Sequence, residues 1–125
     1  MSVGMTLDTG ALVALERRHD RALRLLRAAK VNNSTVTVPA AVIAEWWRGR
    51  TDTRESFLRA LVIEPMEEML ARTAGEAIAA VRGATTIDAV VMASAARRGD
   101  VVLTSDMDDL TRLTAYFRSV RILSI

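Results

Sequence analysis

The stretch TTIDAVVMASAARRGDVVLTSD, residues 85–106, indicates the fold of this chain. Its first part is apolar at most positions up to Gly99, a pattern typical of a buried helix that ends at a glycine. The run VVLTSD that follows, at 101–106, predicts a strand. Two carboxylates stand in this stretch, Asp88 near its start and Asp106 at its end. A buried helix that leads directly into a strand indicates an α/β protein, and the two carboxylates need an explanation.

The rest of the chain alternates between the same two kinds of element. The sequence pattern predicts strands at 3–8, 35–40, 62–66, 101–106 and 120–125. It predicts helices at 11–18, 20–31 (capped by Asp20), 40–49, 51–61, 67–82, 85–99 and 108–117. Strands separated by helices of this length imply right-handed crossovers and a mainly parallel sheet with helices on both faces. We therefore predict an α/β fold.

Length and composition favour one compact domain over residues 1–125, because half of the 125 residues are apolar and no linker-like segment is present. The absence of cysteine excludes disulfides, thiolate metal sites and a cysteine nucleophile, and it fits a reducing compartment. The longest apolar runs fall far short of the ~20 residues that span a bilayer. The N-terminal MSVGMTLD lacks the positive region of a signal peptide. We expect a soluble, cytoplasmic protein with no membrane association.

The basic residues are almost all of one type. Sixteen of the 17 are arginine, Lys30 being the exception, although the net charge is only +2. Arginine suits phosphate recognition because its guanidinium presents a planar fork of donors. The alternative is that the bias reflects genome composition and that these side chains form ordinary solvated helix faces.

Carboxylates occupy positions where an α/β sheet binds ligands. Asp8 and Asp106 each end a predicted strand, and open parallel sheets bind ligands outside the carboxyl ends of their strands. Asp88 lies in the first turn of the helix that feeds the strand ending in Asp106. Glu45 lies within the helix that follows the second strand. We therefore expect all four to approach one crevice.

Each carboxylate also has a purely structural explanation. Asp8 and Asp106 would cap the helices that follow them, and Asp88 would complement a helix dipole. For Glu45, inside AVIAEWW, burial would require a cationic partner, and Arg48 is the nearest candidate.

The four carboxylates together are more informative than each alone. At a separation near 4 Å, and with an effective dielectric constant of 20, each pair would repel by about 4 kcal/mol, so a positive charge is needed among them. The chain has no cysteine, and its one histidine, His19, lies on a polar stretch that we expect at the surface. A hard cation with oxygen ligands, Mg²⁺ or Mn²⁺, suits this donor set.

The sequence of this chain resembles the sequences of PIN-domain ribonucleases, and more narrowly those of the VapC toxins of bacterial toxin–antitoxin pairs. The resemblance covers essentially the whole chain in the family's order and spacing. It rests on Leu7, Asp8, Ala11 and Leu12; on Glu45 in VIAEWWRG; on Asp88, Ala93 and Ala96 in TTIDAVVMASAARRG; and on Asp106, Asp109 and Leu110 in VVLTSDMDDL.

The resemblance implies a PIN-like three-layer sandwich with a metal-binding, catalytic acidic site made of Asp8, Glu45, Asp88 and Asp106. Thr104 matches a position that is often small and polar, Asp109 matches a less uniform acidic position, and Leu110 stands where an aromatic residue is frequent. Members of the family are Mg²⁺- or Mn²⁺-dependent endoribonucleases, usually homodimers. A cognate antitoxin, VapB-type for VapC toxins, wraps them and can fill the site.

Metal-assisted phosphodiester hydrolysis agrees with these residues. Asp8 and Asp106 are the expected direct ligands. Glu45 and Asp88 would bind directly or through water, and either would accept the proton of the attacking water, whether one metal ion is bound or two.

RNA binding has less support in the sequence. Arg48 and Arg50 are the arginines nearest to Glu45 along the chain and are candidates to hold the RNA backbone. Trp46 and Trp47 would stack on bases or contact the antitoxin, but packing in the core or in a dimer is the favoured interpretation.

Two other classes of function compete with the ribonuclease. A receiver-like signalling domain would have adjacent acids at its first strand and a lysine at the end of a late strand, whereas the single lysine here ends an early helix. A catalytically inactive PIN-fold module that binds RNA or protein would be indicated by a missing acid, and all four acids are present.

Overall fold

The computed structural model describes residues 3–125; Met1 and Ser2, which begin the N-terminal segment considered above, lie outside this range. The strands are β1 (Met5–Leu7), β2 (Val36–Pro39), β3 (Val62–Glu64), β4 (Val101–Thr104) and β5 (Arg121–Ser124). The helices are α1 (Thr9–Glu16), α2 (Asp20–Val31), α3 (Ala40–Trp46), α4 (Asp52–Ala60), α5 (Glu68–Ala80), α6 (Thr86–Arg98) and α7 (Met107–Thr111), and a 3₁₀ turn (Arg112–Ala115) follows α7.

The strands form one sheet in the order β3-β2-β1-β4-β5, and all neighbouring strands are parallel. The predicted α/β fold with a parallel sheet is therefore confirmed. From β1, strands β2 and β3 follow one another on one side of the sheet. Strand β4 then pairs with the other side of β1, and β5 pairs with β4. With right-handed crossovers, this reversal puts α5 to α7 on the face opposite to α1 to α4. The point of reversal lies between β1 and β4, so ligands are expected at the carboxyl ends of these two strands.

Helix α6 is the centre of the core. Its residues 89–95 are buried without interruption, and the helix packs against β1, β2, β4 and α5. Thr85 caps its start by accepting a hydrogen bond from the backbone N–H of Asp88, at 3.2 Å. Gly99 ends it in the left-handed conformation, with φ of +74°, which a glycine adopts without strain. The buried helix predicted from the sequence is thus confirmed at both ends.

A polar network lies where α6 meets the sheet. Arg98 Nε donates to Asp100 Oδ2 at 2.9 Å, and its Nη2 donates to Thr6 and Ser94, each at 2.8 Å. Arg98 Nη1 also pairs with Glu64, and the Thr6 hydroxyl donates to Asp100 at 2.8 Å. We call Arg98 and these four partners the Arg98 network. One arginine therefore links α6 to β1, β3 and the start of β4.

Several predicted helix ends are wrong by a few residues. The first helix begins at Thr9, because Asp8 caps it, and ends at Glu16. Helix α2 is capped by His19, so Asp20 is its first residue. Helix α3 ends at Trp46 and not at residue 49, since Trp47 is already extended. The last predicted helix, 108–117, is the short α7 followed by the 3₁₀ turn. Within residues 3–125, no helix is long and apolar enough to cross a membrane.

Candidate metal-dependent active site

A cleft of about 350 Å³ opens at the carboxyl edge of the sheet, at the reversal point between β1 and β4. It is lined by Asp8, Thr9, Gly10, Glu45, Thr85, Ile87, Asp88, Ser105, Asp106 and Asp109. The four acids predicted from the sequence therefore lie in one cleft, and Asp109 joins them. We call this feature the acidic cleft.

Asp8 is the most buried of these carboxylates, with 7% of its surface exposed. It follows β1 directly and caps α1, since its Oδ1 accepts the backbone N–H of Ala11 at 2.8 Å. Its Oδ2 accepts the Thr104 hydroxyl at 2.5 Å. The structural explanation for Asp8 is thus correct, and it does not exclude a function, because each carboxylate oxygen has a second lone pair.

Thr104 connects the two strand ends that form the cleft. Its hydroxyl donates to Asp8 and accepts the backbone N–H of Asp106 at 2.9 Å. Asp106 stands at the N-cap position of α7, yet its side chain makes no capping hydrogen bond. The capping explanation therefore fails for Asp106, and its exposed carboxylate remains available to a ligand.

Glu45 does not meet the condition of burial under which it would need a cationic partner. It is exposed, because the buried side of α3 is formed by Val42 and Trp46, one turn apart. Its Oε1 accepts the Thr9 hydroxyl at 2.5 Å, so Arg48 is not its partner. Arg48 instead donates to the carbonyl of Trp47 at 2.8 Å.

The two tryptophans have different environments. Trp46 is 4% exposed and belongs to the core, as favoured from the sequence, while Trp47 is half-buried against it. The buried Nε1 of Trp46 has no hydrogen-bond partner among the described residues. Base stacking by Trp46 is therefore excluded by its burial.

Three hydroxyl-bearing residues of the cleft, Thr9, Thr85 and Ser105, are absent from the sequence prediction. Thr9 donates its hydroxyl to the Glu45 carboxylate, whereas the Thr85 hydroxyl accepts the backbone N–H of Asp88. Their positions, next to a strand-end Asp and at a helix N-cap, are the only signals in the sequence that would have found them.

Residues 5–115 match the model of the PIN domain family. This chain belongs to the PIN domain family. No curated protein sequence matches it significantly.

Solved structures share the fold of this PIN domain. VapBC2 from Rickettsia felis, bound to a promoter DNA fragment, has 15% identity and a TM-score of 0.75, with 97% of this chain and 98% of that one covered. DNA-bound VapBC from Salmonella typhimurium has 17% identity and a TM-score of 0.74, with 98% of both chains covered. FitAB bound to an IR36 DNA fragment has 18% identity and a TM-score of 0.72, with 96% and 94% covered. At these identities the similarity is one of fold.

The electrostatics of the acidic cleft are one-sided. Five carboxylates line it, and no lysine, arginine or histidine of residues 3–125 does. Burial raises the pKa of Asp8 above its ordinary value, the hydrogen bonds from Thr104 and Ala11 oppose this, and the charges of Asp88 and Asp106 add to the rise.

The pKa values of Asp88 and Asp109 are raised as well. Burial raises the pKa of Asp88, and the charges of Asp109, Glu45 and Asp106 raise it further. The pKa of Asp109 is raised chiefly by its hydrogen bond and charge interaction with Asp106, and the charge of Arg112 opposes this rise. The carboxylates in the acidic cleft of this PIN domain thus repel one another, and a cation among them would reduce this repulsion.

The donor chemistry of the acidic cleft fits a hard divalent cation, since five carboxylates and three hydroxyls offer only oxygen. Within the described range, no three His, Asp or Glu side chains are grouped closely enough to hold one ion together. Mg²⁺ keeps several of its waters and binds proteins through one or two carboxylates. The arrangement therefore suits an ion held directly by a few oxygens and reached by the other carboxylates through water.

Proposed function

We propose that this PIN domain is a Mg²⁺- or Mn²⁺-dependent endoribonuclease that acts as the toxin of a toxin–antitoxin pair and is inhibited by a VapB-type antitoxin. The observation that carries the proposal is the acidic cleft, which collects five carboxylates without a lining cation. Two further findings support it. PIN domain proteins are generally nucleases, and the structural neighbours are VapBC and FitAB complexes.

In this proposal Asp8 and Asp106 are the direct metal ligands, because they end the two strands at the reversal point and retain free lone pairs. Thr104 positions both of them, through the Asp8 carboxylate and the Asp106 backbone. When bound, the ion would lower the pKa of a water and stabilise negative charge on the phosphoryl oxygens.

Asp88 and Glu45 would act on the water and on the ion's outer surroundings. The raised pKa of Asp88 makes it a stronger base than an ordinary carboxylate, so it is our candidate to accept the proton of the attacking water. Glu45, held by Thr9, would also orient bound water in the cleft.

The remaining parts of the proposal concern assembly and location. An antitoxin that fills the acidic cleft has to neutralise its carboxylates, so we expect it to bring a positive side chain. We further propose that residues 1–125 act as one PIN domain, that the protein is a homodimer, and that it works in the cytoplasm.

The first test is cleavage of purified total RNA with Mg²⁺ or Mn²⁺ and with EDTA. Asp106→Asn is the better variant, because Asp8 also caps α1 and its replacement would disturb the fold. Asp108→Asn is the matched control, since Asp108 is equally exposed but does not line the cleft. We expect discrete metal-dependent fragments from wild type and from Asp108→Asn, and at least a ~100-fold loss of rate in Asp106→Asn.

Equal cleavage by wild type and Asp106→Asn would refute the assignment of Asp106. Absence of cleavage by every form, together with binding of RNA or of a protein partner, would instead establish an inactive binding module.

A further inference from the structure

A second concavity adjoins the acidic cleft. It has a volume of about 240 Å³ and is lined by Gly10, Val13, Ala14, Arg17, His19 and Ser105. Two of these residues, Gly10 and Ser105, also line the acidic cleft. We call this concavity the α1 groove, because most of its residues come from α1 and the turn after it.

Gly10 and Ser105 form the boundary that the two spaces share. A Cβ at Gly10 would overlap the hydroxyl of Ser105, so α1 begins close against the end of β4, and a larger residue at position 10 would require the Ser105 side chain to move. The acidic cleft and the α1 groove therefore adjoin at this junction, and an extended chain that crosses it would reach both.

Charge changes sign across this junction. The acidic cleft carries carboxylates only, whereas the α1 groove contains Arg17 and His19 and no acidic residue. Among the described residues Arg17 is exposed and makes no ion pair closer than 4 Å. Arg21 lies at the same edge of the sheet, where its Nε donates to the carbonyl of Ser124 at 3.0 Å.

The arginines suggested by sequence proximity are placed differently. Arg50 lies 3.9 Å from Glu55, and Arg48 bonds to a neighbouring carbonyl. Neither of them lines the acidic cleft or the α1 groove. Arg17 is therefore the arginine that lines the concavity adjoining the acidic cleft, while the charge of Arg112 acts on Asp109 within the cleft.

We propose that the α1 groove binds the RNA strand on one side of the scissile phosphate, with Arg17 holding a backbone phosphate and the apolar floor of Val13 and Ala14 holding the adjoining ribose or base. The inference rests on the proposed ribonuclease function, which it extends to a substrate subsite. A single negatively charged strand fits both parts, because a metal ion accounts for its charge in the acidic cleft and Arg17 accounts for it in the groove.

The first test measures binding without catalysis. The affinity for a fluorescent single-stranded RNA oligonucleotide is followed by anisotropy at several salt concentrations, with Ca²⁺ in place of Mg²⁺ to neutralise the carboxylates and with the RNA checked on a gel to be intact. We expect Arg17→Ala to weaken binding about fivefold to tenfold and to reduce the salt slope by about 0.7, as for one lost phosphate contact. Arg27→Ala is the matched control, because Arg27 is an exposed arginine of α2 outside the groove, and its effect should stay below about twofold.

The second test fills the groove without changing its charge. Ala14→Leu places a larger side chain on the floor, and Ala28→Leu makes the same change on the exposed side of α2. The measured quantity is kcat/KM for RNA divided by kcat/KM for bis(p-nitrophenyl) phosphate, a phosphodiester too small to reach the groove. We expect this ratio to fall about tenfold in Ala14→Leu and to be unchanged in Ala28→Leu. Hydrolysis of the small diester also shows that the variant is folded.

The outcomes separate the two proposals. If wild type cleaves RNA but Arg17→Ala binds it as well as Arg27→Ala does, the groove proposal falls while the nuclease stands, and the groove would be assigned to a peptide of a protein partner. If wild type cleaves neither substrate, the nuclease proposal falls. If it also fails to bind RNA, the groove proposal falls with it.

Discussion

Two buried carboxylates beside the sheet of this PIN domain, Asp100 and Asp8, have opposite electrostatic surroundings. In the Arg98 network, Asp100 is 6% exposed and receives both a guanidinium and a hydroxyl. In the acidic cleft, Asp8 is 7% exposed and receives only neutral donors, while its charged neighbours are also carboxylates. Asp8 and Asp100 are about equally buried, but only Asp100 has a cationic partner. Burial alone therefore does not explain why Asp8 lacks one. The lack of a cationic partner for Asp8 thus supports the proposed cation site in the acidic cleft.

The largest expected effect comes from removing Arg98, the cation that pairs with the buried Asp100. Arg98→Met leaves Asp100 buried without its cation, so we expect the free energy of unfolding to fall by about 3 kcal/mol, as for a buried ion pair that loses one partner. The measurement is urea denaturation at pH 7.

The neighbouring arginine supplies the control for that experiment. Arg97 pairs with Glu67 at 2.9 Å, but both side chains are nearly half exposed, so Arg97→Met should cost less than about 1 kcal/mol. Equal losses in the two variants would mean that the Arg98 network is no more important than a surface pair.

A bound cation should stabilise the carboxylates of the acidic cleft, as Arg98 stabilises the buried Asp100. Adding Mn²⁺ to the metal-free protein should raise the free energy of unfolding by about 2.7 kcal/mol at one hundred times its dissociation constant, because the ion binds only the folded state. The midpoint of thermal unfolding reports the change, with NaCl at equal ionic strength as the blank.

The same pair of aspartate variants locates that effect. Asp108→Asn should retain the stabilisation by Mn²⁺ and Asp106→Asn should lose most of it. Retention in both variants would place the ion outside the acidic cleft.

The smallest expected effect comes from removing one repelled charge. In the metal-free protein at pH 7, Asp88→Asn should raise the free energy of unfolding by about 0.5 kcal/mol, a modest value because Asp88 is only half-buried and solvent screens it. Asp20→Asn, on an exposed first turn, should lower it slightly, because that carboxylate complements a helix dipole.

The sign of the pH dependence checks the cause of this gain. The folded state raises the pKa of Asp88 from its ordinary value of 3.8, so the stability contributed by this group is complete below that value and is lost as the pH rises through the folded pKa. The advantage of Asp88→Asn over wild type should therefore grow as the pH is raised from about 4 to 7. An advantage that is constant with pH would show that charge is not its origin.

The sequence predicts the parts of this protein that depend on local pattern. Asp8 and Asp106 were located because they end apolar strands, and α6 because its apolar run stops at a glycine. The surroundings of Glu45 could not be inferred from its apolar neighbours, because these occupy other sides of the helix: Trp46 turns into the core, while Glu45 turns outward and accepts the Thr9 hydroxyl.

The Arg98 network could not be predicted in the same way. Thr6 and Asp100 are 94 positions apart, and no periodicity or motif joins them. The α1 groove depends likewise on the approach of Gly10 to Ser105, which only the packing of α1 against β4 creates.

The strand order has a consequence for when this protein becomes active. The central strand β1 pairs with β4, nearly a hundred residues later, so the contact that unites Asp8 with Thr104 closes one of the longest loops of the chain. Contacts of such long range are costly in chain entropy and form slowly. A partly folded chain that contains only β1 to β3 lacks half of the acidic cleft and cannot cut RNA by the proposed chemistry. Under the proposed function, catalytic competence would therefore come late in folding, when the central pair of strands closes.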